Sequence, residues 1–323
     1  MMPSSVTARP PFDPELDAVL SAVTEQLPTL TPETIPRFRE MPTPGRLTDD
    51  MLESSGLVRR EVTVPGHRGA RLAATVISRR DHTAPGPGIY HIHGGGMVFG
   101  HRLLGPVQML PWIVEHDAVL VTVEYRLAPE FPDPYPVEDC YAGLVWTVEH
   151  AAELGIDPDR IVVAGASAGG GLAAGTALLA RDRQGPALLG QVLICPMLDD
   201  RGQTPSTYQY ADTGTWNGDS NRIGWSALLG ERRGSEDVSV YAAPARARDL
   251  AGLPPAFVDC GSAELFRDED IAYASALWAA GVPTELHVWA GGFHGFDLLA
   301  PDTALARAAT EARDRWVARL LDS

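Results

Sequence analysis

Ile161-Val162-Val163-Ala164-Gly165-Ala166-Ser167-Ala168-Gly169-Gly170 is the stretch on which the fold turns. Its four leading apolar residues read as a buried strand, and the Ala- and Leu-rich run from Gly170 to Arg181 reads as a helix. Between them stands Gly165-Ala166-Ser167-Ala168-Gly169, which fits G-x-S-x-G in the strand, tight turn and helix context of a nucleophile elbow. Glycines flank the serine because the backbone of such an elbow passes close to its neighbours. The hydroxyl is then exposed above the sheet edge, near a helix N-terminus where negative charge is stabilised. A bare G-x-S-x-G also arises by chance in Gly- and Ala-rich chains, so the rest of the sequence has to support it.

Upstream, Gly88-Ile89-Tyr90-His91-Ile92 reads as a buried strand running into His93-Gly94-Gly95-Gly96-Met97. Three consecutive glycines are costly in conformational entropy unless the backbone does something other residues cannot do. Aiming N–H groups at a developing oxyanion is such a task, and one such donor is worth a factor of about 10² to 10³ in rate. The glycine loop and the N–H of Ala168 together read as an oxyanion hole.

His93-Gly94-Gly95-Gly96, Glu124-Tyr125-Arg126-Leu127-Ala128-Pro129-Glu130, Ser167-Ala168-Gly169-Gly170 and His294-Gly295-Phe296 resemble, in order, the hormone-sensitive-lipase-like branch (bacterial family IV) of α/β-hydrolase esterases. The resemblance runs from about residue 60 to the C-terminus. It implies an α/β-hydrolase fold, a mostly parallel twisted sheet with helices on both faces and a helical cap. The activity it implies is that of a cofactor-free serine carboxylesterase, forming an acyl-enzyme from short- to medium-chain acyl esters. It also implies that Gly95 and Gly96 supply the oxyanion donors together with Ala168. The expected division is 1–55 and 199–236 as cap, with 56–198 and 237–323 as core.

Nine histidines compete for the role of base. His294 stands out because it follows the strand Thr284 to Trp289 in a Gly-Gly-Phe-His-Gly loop, late in the chain, as the Ser, acid, His order of this fold requires. An imidazole titrates near neutrality, which suits a group that takes the Ser167 proton and returns it to the leaving alkoxide. His287 alternates with apolar neighbours and reads as partly buried structure.

The acid must lie between Ser167 and His294 and follow a strand. Ala256 to Cys260 is that strand, and Asp259, Glu264, Asp268, Glu269 and Asp270 crowd the region after it. The family has Asp-Pro-Leu-x-Asp-Glu here, and aligning Arg267-Asp268-Glu269 with its end puts Glu264 at the catalytic position. Asp268 and Asp259 are the alternatives; Asp268 and Asp270 are expected to face solvent in the first turn of the next helix. Ala166 is a second departure, since the family usually has Asp or Thr there. The segment Tyr125 to Glu130 reads as scaffold under the site.

Strands alternating with helices over most of the 323 residues indicate one α/β domain. Strands are expected at Glu61 to Val64, Leu72 to Ser78, Gly88 to Ile92, Ala118 to Val123, Ile161 to Ala164, Gln191 to Cys195, Ala256 to Asp259 and Thr284 to Trp289. Helices are expected at Pro136 to Leu154, Gly170 to Arg181, Asp268 to Ala280 and Pro301 to Leu321. Residues 199–236 form a long irregular insert whose Tyr208, Tyr210, Trp216 and Trp225 either line a pocket or glue the insert to the core.

A net charge of −16 argues against nucleic acid and anionic membrane surfaces as partners, because both are polyanionic. Met1 to Ser5 lack the pattern of a secretory signal and no apolar run is long enough to span a bilayer, so a cytoplasmic location is expected. Cys140, Cys195 and Cys260, odd in number and without C-x-x-C spacing, read as reduced buried thiols. No cofactor and no metal are expected: His91-Ile92-His93, with His101 as third ligand, falls short of a zinc hydrolase motif. A small-molecule ester is the expected partner, with a homodimer through the edge strand Thr284 to Trp289 as resemblance to dimeric relatives implies. The alternative is a ligand-binding module, since plant gibberellin receptors resemble the family but lack the catalytic histidine, which here is His294.

Overall fold

The computed structural model describes residues 8–83 and 85–322. The first seven residues of the expected segment 1–55, with the Met1 to Ser5 stretch, lie outside the described residues. Eight strands form one sheet: β1 Leu57–Pro65, β2 Arg71–Arg79, β3 Gly86–Ile92, β4 Val119–Val123, β5 Ile156–Ala166, β6 Gly190–Ile194, β7 Ala256–Gly261 and β8 Thr284–Trp289. Their spatial order is β1-β2-β4-β3-β5-β6-β7-β8. β2 runs antiparallel to β1 and β4, and every other neighbouring pair is parallel. The fold is the α/β-hydrolase architecture expected.

β5 shows why these residues make such a sheet. Ile161 and Val163 point to one face, where they join Tyr90, Ile92, Val121 and the helices Tyr135–Glu149 and Ala168–Asp182. Val162 and Ala164 point to the other, with Ile89, Leu120, Val192 and Phe257, under the helices Leu110–His116 and Ala304–Leu321. A strand buried on both faces reads as a continuous apolar run rather than as an alternation. Element ends differ from expectation by a few residues. The last helix starts at Ala304 because Thr303 caps it, accepting the Ala306 N–H. The helix expected as Pro136 to Leu154 breaks at His150, where the backbone leaves helical geometry.

The insert 199–236 is less irregular than expected. It holds the helices Pro205–Gln209 and Gly218–Leu229, capped by Thr204 and Asn217, whose side chains accept the N–H groups of Thr207 and Ser220. The N-terminal segment contributes Pro14–Gln26, Ile35–Glu40 and Asp49–Ser54. Insert and segment touch: the Tyr210 hydroxyl donates to the Pro10 carbonyl at 2.8 Å, and the Gln209 amide to that of Ala8 at 2.8 Å. Arg39 ties the segment to the core through two 2.8 Å bonds to Glu130. No helix among the described residues is long and apolar enough to cross a membrane.

Candidate active site

Parallel strands aim their C-terminal ends at the same side of the sheet, and β3, β5, β7 and β8 there run into the four loops that matter. β5 runs into Ser167, held at φ 57° and ψ −123°, backbone that a non-glycine residue rarely adopts. Backbone bonds hold it there. The Ser167 N–H donates to the Ile194 carbonyl at 2.8 Å, and its carbonyl accepts from Gly171 at 3.0 Å and Met197 at 2.9 Å. Ala166 needs no side-chain hydrogen bond in this arrangement. Glycine at 169 is obligatory for space: a Cβ there would stand 2.1 Å from the Ile92 carbonyl oxygen, so only glycine lets the helix start this close to β3.

Ser167, His294 and Glu264, 127 and 30 residues apart in sequence, form a hydrogen-bonded chain. His294 Nε2 lies 2.9 Å from Ser167 Oγ, and His294 Nδ1 lies 2.6 Å from Glu264 Oε2. The other carboxylate oxygen, Oε1, accepts the Gly261 N–H at 2.8 Å. A carboxylate only accepts, so Nδ1 carries the imidazole proton and Nε2 presents a lone pair to the serine hydroxyl. Phe266 packs edge-on against the imidazole, 5.1 Å between ring centres. The Thr215 hydroxyl, from the insert, donates to the His294 carbonyl at 2.6 Å. Glutamate supplies the carboxylate because it reaches across from the turn after β7 while buried to 2 % exposure.

The remaining carboxylates have other tasks. Asp259 pairs with Arg313 at 3.0 Å and accepts the Trp289 indole N–H at 3.1 Å. Asp268 accepts the Ser206 N–H at 2.7 Å and pairs with Arg267, anchoring the insert. Glu269 accepts the N–H groups of Leu198 and Asp199. The expectation that Asp268 and Asp270 face solvent fails: Asp268 is partly buried and Asp270 wholly so. Asp270 lies on the inner side of its helix, its carboxyl within 4.8 Å of Glu264 and Cys260. Burial, then the negative charges of Glu264 and Glu269, push it well above the ordinary carboxylate range. A first-turn position stabilises a carboxylate only when water reaches it, and here the sheet covers it.

The glycine loop lies against the elbow. A Cβ on Gly94 would stand 3.5 Å from Ser167 Cβ. Gly95 takes φ 113°, and Phe99 N–H and Val98 N–H both donate to its carbonyl. The N–H groups of Gly95, Gly96 and Ala168 donate to no group among the described residues. Tyr125 stacks on His93 at 4.1 Å and donates its hydroxyl to the His93 carbonyl at 2.9 Å, so the segment after β4 props the loop from below. Arg126 beside it is locked on buried Asp139.

Two cavities meet at this point. One, of ≈ 190 Å³, is bordered by Ser167, His294, the glycine loop, Leu104, Met109 and Leu298. The second, of ≈ 450 Å³, lies under the N-terminal segment and the insert. Phe99, Thr215 and Trp216 border both. Of the insert's aromatics, then, Trp216 lines the cavities, Trp225 and Tyr210 are buried as packing, and Tyr208 is 59 % exposed. Phe99 and Thr215 carried no signal in the sequence, since nothing local marks a residue that touches a site only through the insert's fold. His91 and His93 are not brought together as ligands: Nδ1 of His91 meets Thr122 at 2.8 Å and Nδ1 of His93 meets the Gly94 carbonyl at 2.8 Å. Burial lowers them to about 3 and about 4, so both rings are neutral at pH 7.

Comparison with known proteins agrees with the fold. A family model for the alpha/beta hydrolase fold matches residues 89–298. A carboxylesterase of Mycobacterium tuberculosis, NlhH, is 34 % identical over 331 residues, covering 99 % of this chain and 98 % of the relative. Esterase LipI of the same organism is 37 % identical over 238 residues, 73 % of each chain. Among solved structures, a bacterial heroin esterase superposes with a TM-score of 0.87 at 38 % identity, covering 97 % of this chain and 98 % of the other. Esterase LipW of Mycobacterium marinum superposes with a TM-score of 0.83 at 30 % identity, covering 98 % and 99 %.

Proposed function

The chain belongs to the α/β-hydrolase fold family, in its hormone-sensitive-lipase-like branch, and is a carboxylic ester hydrolase; from that premise we propose that Ser167 is its nucleophile, His294 its base and Glu264 its acid. The observation that carries the assignment is the unbroken chain from Ser167 Oγ through both ring nitrogens of His294 to Glu264. Ser167 attacks the ester carbonyl as His294 Nε2 takes its proton, and the imidazolium is stabilised by Glu264. The tetrahedral oxyanion is received by the N–H groups of Gly95, Gly96 and Ala168. His294 returns the proton to the leaving alkoxide, then activates the water that releases the acid.

The N-terminal segment and the insert 199–236 are the cap in this reading, and Thr215, bonded to the His294 carbonyl, couples it to the base. The inner cavity beside Ser167, ≈ 190 Å³ and walled by Leu104, Met109 and Leu298, is small for a ligand pocket, which favours short to medium acyl chains. The experiment is hydrolysis of p-nitrophenyl esters from acetate to palmitate. Rates are expected to peak near butyrate to octanoate and to fall at least tenfold by palmitate. A peak at palmitate would refute the short-chain reading, and no turnover at any length would favour a binding module.

We also propose a homodimer through β8. That strand ends the sheet, and Val288, Trp278 and Ile271 beside it are 39 %, 49 % and 37 % exposed. Sedimentation velocity should show twice 34.6 kDa at micromolar concentration and a monomer after Val288→Pro. A wild-type monomer would overturn it.

A further inference from the structure

The inner cavity has one wall that ester cleavage does not use. His91, 1 % exposed, borders it from β3, three residues before the first glycine of the loop, Gly94. Its Nδ1 lies 2.8 Å from Thr122 Oγ1, and Thr122 Oγ1 lies 2.7 Å from the Arg102 carbonyl oxygen. A carbonyl only accepts, so the single hydroxyl hydrogen of Thr122 goes to Arg102, and the Thr122 oxygen must accept from His91. The tautomer follows: the proton is on Nδ1 and Nε2 presents a bare lone pair. Among the described residues no donor meets that Nε2.

The space beside it is open by construction. Gly105, at φ 98°, also borders the cavity, and a Cβ there would stand 3.0 Å from His91 Nε2. A second acceptor shares the cavity. Asp297 takes Gln108 at 2.8 Å and Arg313 at 2.8 Å on Oδ2, and among the described residues Oδ1 receives no hydrogen bond. Leu104, Met109 and Leu298 complete the wall with apolar surface. An acceptor in such a wall is unfavourable when an alkyl chain covers it, and favourable when the occupant brings a donor.

We propose that His91 Nε2 is a specificity-determining acceptor of the acyl subsite, suited to acyl chains that carry a hydroxyl group along their length. The proposal rests on the reading of Ser167 as the esterase nucleophile. The substrate hydroxyl donates to Nε2 while the ester carbonyl sits at the glycine loop. Asp297 offers a second acceptor to a polyhydroxylated chain.

The test measures kcat/KM by pH-stat for ethyl esters of ω-hydroxy acids of three to six carbons, the unsubstituted acids of equal length, and the ω-methoxy ethers, which only accept. For wild type the hydroxy ester is expected to exceed the alkyl ester roughly tenfold at one length, one buried hydrogen bond's worth, with the ether below both. His91→Phe keeps a ring but no lone pair and should bring the hydroxy-to-alkyl ratio to one or below. Thr122→Val leaves Nδ1 without its acceptor, so the proton can move to Nε2 and the ether should gain on the hydroxy ester. That reversal is not expected from loosened packing, and it keeps the test open if His91→Phe does not fold. A wild-type ratio of one at every length, with normal turnover of the alkyl esters, overturns the subsite alone. Ratios unchanged in both variants do the same. Silence on every ester overturns the hydrolase reading and the subsite with it.

Discussion

Ser167→Ala is expected to lower kcat by roughly 10⁴- to 10⁶-fold while the protein folds normally. Among the described residues the hydroxyl is the one hydrogen-bond partner of His294 Nε2, and without it the base can only help a water attack from a worse position. The elbow itself should survive. Its bracing comes from the backbone of Ser167, and alanine at φ 57° carries the same strain that serine does. His294→Ala is expected to cost about as much, and the double variant little more than either, because nucleophile and base act as one unit. A residual rate above water, set by the oxyanion donors, should remain. Steady-state kinetics on p-nitrophenyl butyrate, with mass spectrometry after a p-nitrophenyl phosphonate, checks both points. Wild type should gain one adduct on Ser167 and the alanine variant none. Equal turnover in the two proteins would mean that another group is the nucleophile.

Glu264→Gln is expected to fall by roughly 10³- to 10⁴-fold, for a reason visible in its two oxygens. Oε1 accepts the Gly261 N–H and Oε2 accepts from His294 Nδ1. An amide has one acceptor and one donor end. Facing its NH₂ toward Gly261 sets donor against donor in a buried site; facing it toward His294 forces the proton onto Nε2, where it cannot accept from Ser167. The protein must lose a buried bond or the working tautomer. Asp268→Asn should change kcat less than threefold, since Asp268 anchors Ser206 and Arg267 away from the imidazole, an effect within the ordinary range for one hydrogen bond. The pH profile separates the two roles. A changed tautomer alters the ionisation seen in kcat/KM for Glu264→Gln, whereas loss of an anchor leaves the profile in place. Asp268→Asn proving the more harmful would overturn the assignment of the acid.

What could be read without coordinates was whatever is encoded in neighbouring residues. A strand, a turn too tight for side chains and a helix are contiguous in Ile161 to Arg181, so the elbow was legible there, and the same holds for the glycine loop after β3 and the His294 loop after β8. Glu264 was legible only through its spacing from Arg267-Asp268-Glu269 in a resemblance. Its chemistry alone did not separate it from four other carboxylates nearby.

Those carboxylates were separated by three-dimensional packing. Asp270 sits in the first turn of a helix, where charge and water are the local expectation, yet the inner face of that helix lies on the sheet and the acid is sealed beside Glu264. Asp259 and Asp297 share Arg313 from the last helix, 54 and 16 residues away. The cavities likewise depend on Trp216 and Phe99 meeting under the insert, and the His91 lone pair on Thr122 from the adjacent strand. The sequence by itself determined the order of strands and helices and the three loops that bear Ser167, the glycines from Gly94 to Gly96 and His294, because each follows from short-range sterics and burial pattern. The tertiary structure alone decided which carboxylate meets His294, which carboxylate is sealed from water and what shape the cavity takes, because desolvation and hydrogen-bond partnership depend on residues far apart in the chain.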